Sequence, residues 1–370
     1  MKIGLNATCF NDRPSGAKQR FVGIYTELFR LLSTDEFVVY EPSDCRMHSW
    51  FKDAQNVIFK QTPLSSQSRL KKHLGGLGFW PAALKKEKFD IFESFHLPLV
   101  KAPSGRTILT IHDIRGIIIS GGWRERLVYK TILEKALKAA DHVVTVSDAV
   151  RNEMLEHYPN TSVSVIYNGI DIDSFQNVST IESLNVQQKY GLTENFLLAV
   201  GHFEKRKNYI GLIDALDSLH KRGRQINLVI IGNDSGETEG VKQRVHDLKL
   251  SSHVKTLSGL TDAEVRGVYS LCELFVFPSA YEGFGIPILE AMAARCPIVL
   301  SDIPVFQEIT QGQGAYFSHE SSESIANVIE QVLLSTEEQD RLVRYGDRRV
   351  QDFSFKNIAM DMVQVYKTLS

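Results

Sequence analysis

A chain of 370 residues with 43% hydrophobic and 23% charged side chains has ordinary globular composition and is too long for one typical core, so two domains are expected. No apolar run approaches the roughly eighteen residues of a transmembrane helix. A net charge of −2 conceals +6 on residues 1–168 and −8 on the remainder, which suggests that the first half faces something anionic, such as a phospholipid surface.

The start, MKIGLNATCF, reads as an immediate strand at Ile3–Asn6 rather than a signal peptide. Pro14-Ser15-Gly16-Ala17 lies between that strand and a helix predicted to begin near Gln19. It is similar to a phosphate-approach loop but is not a GxGxxG fingerprint, which counts against a dinucleotide dehydrogenase. The segment from Arg69-Leu70-Lys71-Lys72-His73 through Phe79-Trp80 to Lys88 mixes cations with aromatics. It reads as an interfacial patch for anionic lipid headgroups, the alternative being a helical hairpin with Phe79 and Trp80 in the core.

The strand Ile108–Ile111 ends at His112-Asp113. There a histidine can donate to a sugar hydroxyl or stabilise developing charge, or serve only as a capping residue. Strands at Val143–Val146 and Val163–Tyr167 follow, and Asn168-Gly169-Ile170-Asp171 is turn chemistry. A polar run from Asp173 to Gln188 then marks a boundary. The predicted domains are 1–168 and 169–353, with 354–370 a helix crossing back onto the first.

The second half alternates strands and helices in the βαβ manner. Its strands are placed at Phe196–Val200, Leu228–Gly232, Val254–Leu257, Phe275–Pro278 and Ile298–Ser301. After the first comes Gly201-His202-Phe203-Glu204-Lys205-Arg206-Lys207-Asn208, with three cations where a parallel sheet gathers ligands. They suit a diphosphate, or form a solvated charged loop. Thr261 with Glu264 forms a capping box, and Val265, Val268, Tyr269 and Cys272 share one helix face. The cysteines (Cys9, Cys45, Cys272, Cys296) have neither paired nor metal-ligand spacing. They read as reduced thiols packed as small hydrophobes.

The most informative segment is SAYEGFGIPILEAM. Gly283 and Gly285 allow close backbone approach, and Pro287 suits the first helical position. The helix start offers N–H donors to an anion, and Glu290 offers a carboxylate to a ribose diol. Alternatively, Glu282 and Glu290 only complement the helix dipole.

Taken together, the residues resemble the retaining GT-B glycosyltransferases of group 1, family GT4. The resemblance rests on Ser15-Gly16, His112-Asp113, Val146-Ser147, Ile166 to Asp171, Gly201 with Arg206-Lys207-Asn208, and Pro278 to Met292. It implies an α/β fold of two Rossmann-like, doubly wound parallel-sheet domains with a cleft between them. By the same resemblance, Glu290 would bind the ribose of a nucleotide-diphosphate sugar. Glu282 and the amides of Gly283, Phe284, Gly285 and Ile286 would hold the sugar, and Arg206 and Lys207 would neutralise the diphosphate. Gly16 and Gly201 would lie along the donor, and His112 beside the transferred sugar. Transfer would be retaining and need no metal or other cofactor. The Glu204–Asn208 run is similar to the mannosyltransferase branch, which makes GDP-mannose the first donor choice. The acceptor would be a saccharide, lipid-linked on the cytoplasmic face of the membrane, in surface-polysaccharide assembly; no nucleic-acid motif appears. A non-catalytic nucleotide-sugar-binding scaffold is the alternative, and an NAD-dependent oxidoreductase a weaker one. The chain departs from the family at Arg295, where glycine is usual, and at Ala17 after Gly16.

Overall fold

In the computed structural model the chain divides into two compact units, residues 1–170 with 355–370, and residues 171–354. The structure describes residues 1–13, 15–67, 69–118, 122–193 and 195–370, with the backbone alone for 69–74 and 118.

The first unit is built on β1 (Lys2–Asn6), β2 (Glu36–Glu41), β3 (Val57–Gln61), β4 (Ile91–Ser94), β5 (Arg106–Ile111), β6 (His142–Thr145) and β7 (Val163–Val165). They form one parallel sheet in the order β3-β2-β1-β4-β5-β6-β7. The sequence reading names no strand at β2, β3 or β4, and for β4 the reason is chemical. Its Ile-Phe-Glu-Ser ends in two polar residues, yet both are buried. Glu93 is satisfied there by Tyr25 Oη at 2.6 Å, Thr110 Oγ1 at 2.7 Å and Tyr366 Oη at 2.8 Å, all donating to its carboxyl. Tyr366 lies on the helix Phe355–Leu369, which packs on the helix Gly16–Leu31. Ile358, Met362 and Tyr366 enter the same core as Phe21, Tyr25 and Phe29.

The second unit holds β8 (Phe196–Val200), β9 (Asn227–Ile231), β10 (Val254–Leu257), β11 (Leu274–Phe277), β12 (Ile298–Ser301) and β13 (Ala315–Phe317). Their order is β10-β9-β8-β11-β12-β13, again parallel. β11 is Leu-Phe-Val-Phe and wholly buried, the continuous apolar run expected of a parallel strand covered on both faces. From β8 the chain builds outward through β9 and β10, then returns to β11 on the other side. β8 and β11 are therefore neighbours across the point where strand order reverses, and open α/β sheets bind ligands outside the strand ends at that point.

Two expectations change here. In the segment 69–88, Trp80 is only 7% exposed and packs edge-on against Tyr40 at 5.2 Å. With Leu84 it belongs to a core cluster, so this aromatic is not an outward membrane anchor. Its apolar surface is better buried against the sheet than left in water. The side chains of Arg69, Lys71, Lys72 and His73 lie outside the described residues. Cys272 and Cys296, unpaired by spacing, stand Sγ to Sγ at 2.8 Å although both are free. Among the described residues no helix is long and apolar enough to cross a membrane.

Candidate active site

Two loops leave the neighbouring strands β8 and β11. After β8, Gly201 has φ +147°, and a side chain there would sit 2.7 Å from Lys207 Nζ. Only glycine lets the lysine fold back over the strand end. Tyr209 Oη donates to the Gly201 carbonyl at 2.8 Å and fixes the loop from below. Residues Lys205–Lys207 form one turn of 3-10 helix, and Asn208 takes a left-handed conformation before the helix Tyr209–Lys221. After β11, Ala280 N donates to the Arg206 carbonyl at 2.8 Å, which joins the two loops by their backbones. Gly285, at φ +131°, opens the helix Ile286–Ala293, with Pro287 as its second residue.

Both cations of the first loop converge on the carboxylate of the second. Glu282 Oε1 is 2.5 Å from Arg206 Nη1 and 2.8 Å from Lys207 Nζ. Arg206 also reaches Glu204 Oε2 from Nε at 2.6 Å and donates to the Tyr281 carbonyl at 3.0 Å. Lys207 lies 4.6 Å from the Phe277 ring centroid, a cation–π contact on the last residue of β11. These groups are almost dry, with side-chain exposures of 17% for Arg206, 11% for Glu282 and 7% for Lys207.

Burial works against every charge in the cluster, and the partners decide each outcome. For Arg206, Glu282 and Glu204 outweigh burial, and the guanidinium is held more firmly charged than usual. For Glu282, Lys207 and Arg206 overcome burial and keep the carboxylate ionised. For Lys207, burial and the neighbouring Arg206 prevail over Glu282, so its pKa falls below the ordinary lysine value. The site thus holds two preorganised cations balanced by Glu282 and Glu204, in a low-dielectric setting where each charge acts more strongly than at an exposed surface.

Glu290 projects from the helix that follows. It is 8% exposed, and Tyr269 Oη donates to its Oε2 at 2.9 Å. Burial pushes this carboxyl up to about 7, with the Tyr269 bond pulling back and Asp262 adding a small push. Tyr269 ends the helix Asp262–Tyr269, which starts at the Thr261–Glu264 capping box read from the sequence. Its role escapes sequence reasoning, although its place on the inward face, just before β11, is a usable signal.

The remaining candidates belong to the first unit. Gly16 is the first residue of the helix Gly16–Leu31, which starts earlier than the predicted Gln19; Ser15 caps it by accepting from Lys18 N at 3.2 Å. Pro14 lies outside the described residues. His112 follows β5, lining a small cavity with Arg20, Tyr25, Glu93 and Phe95. The residue as a whole is half-buried. Its dense surroundings and the Arg20 charge nevertheless drive its pKa down to about 3. In the ligand-free chain this favours the neutral imidazole, which can donate or accept a hydrogen bond. Arg20, also missed from the sequence, is buried and donates from Nη1 to Ile166 O at 2.9 Å and Asn168 Oδ1 at 3.0 Å. Among the described residues no three His, Cys, Asp or Glu side chains group as a metal site.

With this geometry in place, comparison with known proteins is direct. The family model for Glycosyl transferases group 1 matches residues 181–349, and that for Glycosyltransferase Family 4 matches residues 34–174. The chain belongs to the group 1 glycosyltransferases. Within that family it is similar to the O-antigen chain mannosyltransferase RfbU of Salmonella typhimurium, 30% identical over 228 residues, which are 60% of each chain. The chain therefore spans less than two thirds of that relative. The O-antigen chain mannosyltransferase B of Escherichia coli is 29% identical over 271 residues, 71% of each chain. Among solved structures, Anabaena Alr3699/HepE in complex with UDP and glucose superposes with a TM-score of 0.76 at 18% identity, covering 100% of this chain and 99% of that one. WaaG, a glycosyltransferase involved in lipopolysaccharide biosynthesis, gives 0.75 at 18% identity with 99% of both chains covered. The fold of this group 1 glycosyltransferase is GT-B, with two Rossmann-like parallel-sheet domains.

Proposed function

We propose that this chain is a retaining, metal-independent glycosyltransferase that moves a hexose from a nucleotide-diphosphate sugar to a saccharide acceptor. GDP-mannose is the first donor choice and a lipid-linked glycan at the cytoplasmic membrane face the first acceptor choice, in surface-polysaccharide assembly. The observation that carries this reading is the meeting of Arg206 and Lys207 on Glu282 at the strand-order reversal between β8 and β11. The names of the O-antigen relatives support the choice of mannose and of the acceptor class.

In this reading Arg206 and Lys207 take the charge that develops on the departing diphosphate, so the positive charge is supplied by side chains. Glu282 holds them in place and offers its carboxylate to the sugar hydroxyls. Glu290, ionised, accepts from the ribose diol. The acceptor attacks from the face that the diphosphate leaves, and a departing phosphate oxygen takes its proton. No protein group need then act as base, which suits a Glu282 already committed to two cations. His112, being neutral, contributes a hydrogen bond to the transferred sugar.

A panel of nucleotide diphosphates tested for their effect on melting temperature identifies the base. Transfer assays with the corresponding sugars, with and without a chelator, and the product's anomeric configuration test the rest. Failure of every nucleotide diphosphate to bind, an inverted product, or loss of activity on chelation would each remove the corresponding part of the reading.

A further inference from the structure

We propose that Cys272 and Cys296 are a reversible dithiol–disulfide pair that covalently ties the ends of the two helices carrying Tyr269 and Glu290. The sulfurs stand 2.8 Å apart, the Cys272 thiol also meets the Tyr269 carbonyl at 3.3 Å, and Cys296 Sγ lies 3.9 Å from the Cys272 carbonyl. Cys272 closes the turn between the Tyr269 helix and β11, and Cys296 closes the turn between the Glu290 helix and β12. A bond between them encloses β11, the Glu282 loop and the whole Glu290 helix in one covalent ring. It runs beside the Tyr269–Glu290 hydrogen bond, because the same two helices supply both pairs.

The two thiols differ in access. Cys272 is the less buried of the two and Cys296 is buried, so Cys272 is the better placed to meet an external oxidant and Cys296 to resolve. With a small disulfide such as oxidised glutathione, the Cys272 thiolate attacks one sulfur and expels one glutathione thiolate. The Cys296 thiolate then attacks the Cys272 sulfur of the mixed disulfide and expels the second glutathione. One S–S bond breaks in the oxidant and one forms in the protein; two electrons and two protons leave with two thiols. Burial raises the Cys272 thiol well above its ordinary value, reinforced by Cys296. The uncatalysed exchange is accordingly slow near neutrality.

The pairing stands on this geometry alone. Its effect on donor handling rests on the reading of Glu290 above. Tying the helix ends limits how far Tyr269 can drift from Glu290, so less ordering remains for the nucleotide to impose.

The test uses the full chain, held in dithiothreitol or incubated with oxidised glutathione. Denatured thiol counts are expected to fall from four to two, and peptide mapping to join the Cys272 and Cys296 peptides. The melting temperature is expected to rise by about 4–10 °C and to return on reduction. A Cys9→Ser/Cys45→Ser variant should fall from two thiols to none with the same melting shift, and Cys272→Ser should lose the shift. Four thiols after oxidation, glutathione trapped on Cys272 without ring closure, or pairing elsewhere would overturn the proposal; mapping on the wild-type chain decides this even if a variant fails to fold. The nucleotide diphosphate that binds the reduced form should bind the oxidised form about two- to fivefold more tightly. Equal affinity would sever the link to Glu290. If no nucleotide diphosphate binds either form, the donor-site reading fails, and the thiol map still judges the disulfide.

Discussion

Burial holds the Glu290 carboxyl up to about 7 against an ordinary 4.5, and the Tyr269 hydroxyl is the group that pulls it back. In that interval the folded chain binds a proton that the unfolded chain has released. The stability from neutral Glu290 is thus complete below about pH 4.5 and lost as pH rises through about 7. The shift corresponds to at most about 3 kcal/mol. The melting temperature of the ligand-free protein should therefore fall across this range, and Glu290→Gln should flatten the fall, as pH-resolved melts of the two proteins will show. Donor binding should run the opposite way, strengthening as Glu290 ionises, because a carboxylate accepts from a diol better than a neutral acid does. Tyr269→Phe removes the bond that favours the ionised form. Its donor KM at neutral pH should rise about three- to tenfold, with the midpoint of the KM–pH curve displaced upward. An unmoved midpoint would reduce Tyr269 to core packing. Lys207→Ala should lower transfer by about 10²–10³-fold. Its melting temperature should also fall, because Arg206 alone is then left to balance both Glu282 and Glu204, but by far less than transfer does; undiminished transfer would remove Lys207 from the reaction.

Single residues act through the elements that carry them, and Arg295 shows how far the sequence could be read at that scale. At the position where the resemblance led glycine to be expected, this chain places an arginine at φ +56°, after the Glu290 helix. The predicted conflict is thus real strain, with only a surface pair from its Nε to Asp347 Oδ1 at 3.1 Å in return. Arg295→Gly should raise stability by about 0.5–1 kcal/mol, measurable by denaturant titration, with donor affinity unchanged. The strands β8 to β12 and the capping box at Thr261 were similarly legible, because apolar runs and turn chemistry are local signals. β2, β3, β4 and β13 went unread; for the short β13 and the glutamate-bearing β4 the reason is that length and long-range hydrogen bonds define them. The candidate loops could be found at strand ends. That Glu282 would receive both Arg206 and Lys207 could not, because it depends on β8 lying beside β11, which is a property of sheet order. The Cys272–Cys296 approach was hidden for the same reason: two turns at neighbouring strands meet only once the sheet is assembled.

At the scale of the molecule, the chain leaves its first compact unit near residue 170 and returns to it at residue 355. The final helix is therefore a structural member of the first unit and not a tail. Removing it would strip Ile358, Met362 and Tyr366 from the core and take one of three hydrogen bonds from the buried Glu93. Three such side chains stabilise by about 5–9 kcal/mol, comparable with the roughly 5–15 kcal/mol net stability of a domain. A chain ending at residue 354 should lose the fold of the first unit. The second unit keeps its own sheet, its own core cluster and all of Arg206, Lys207, Glu282 and Glu290. Calorimetry of the truncated chain should show the first unit's transition gone and a cooperative one remaining. That remaining transition should still rise with the nucleotide diphosphate that stabilises the full chain, while transfer is abolished, because the first unit, the proposed acceptor side, has no fold. Loss of nucleotide binding together with the first unit would mean that donor affinity is not housed in residues 171–354, and would send the search for the diphosphate's main contacts back to Gly16 and its helix.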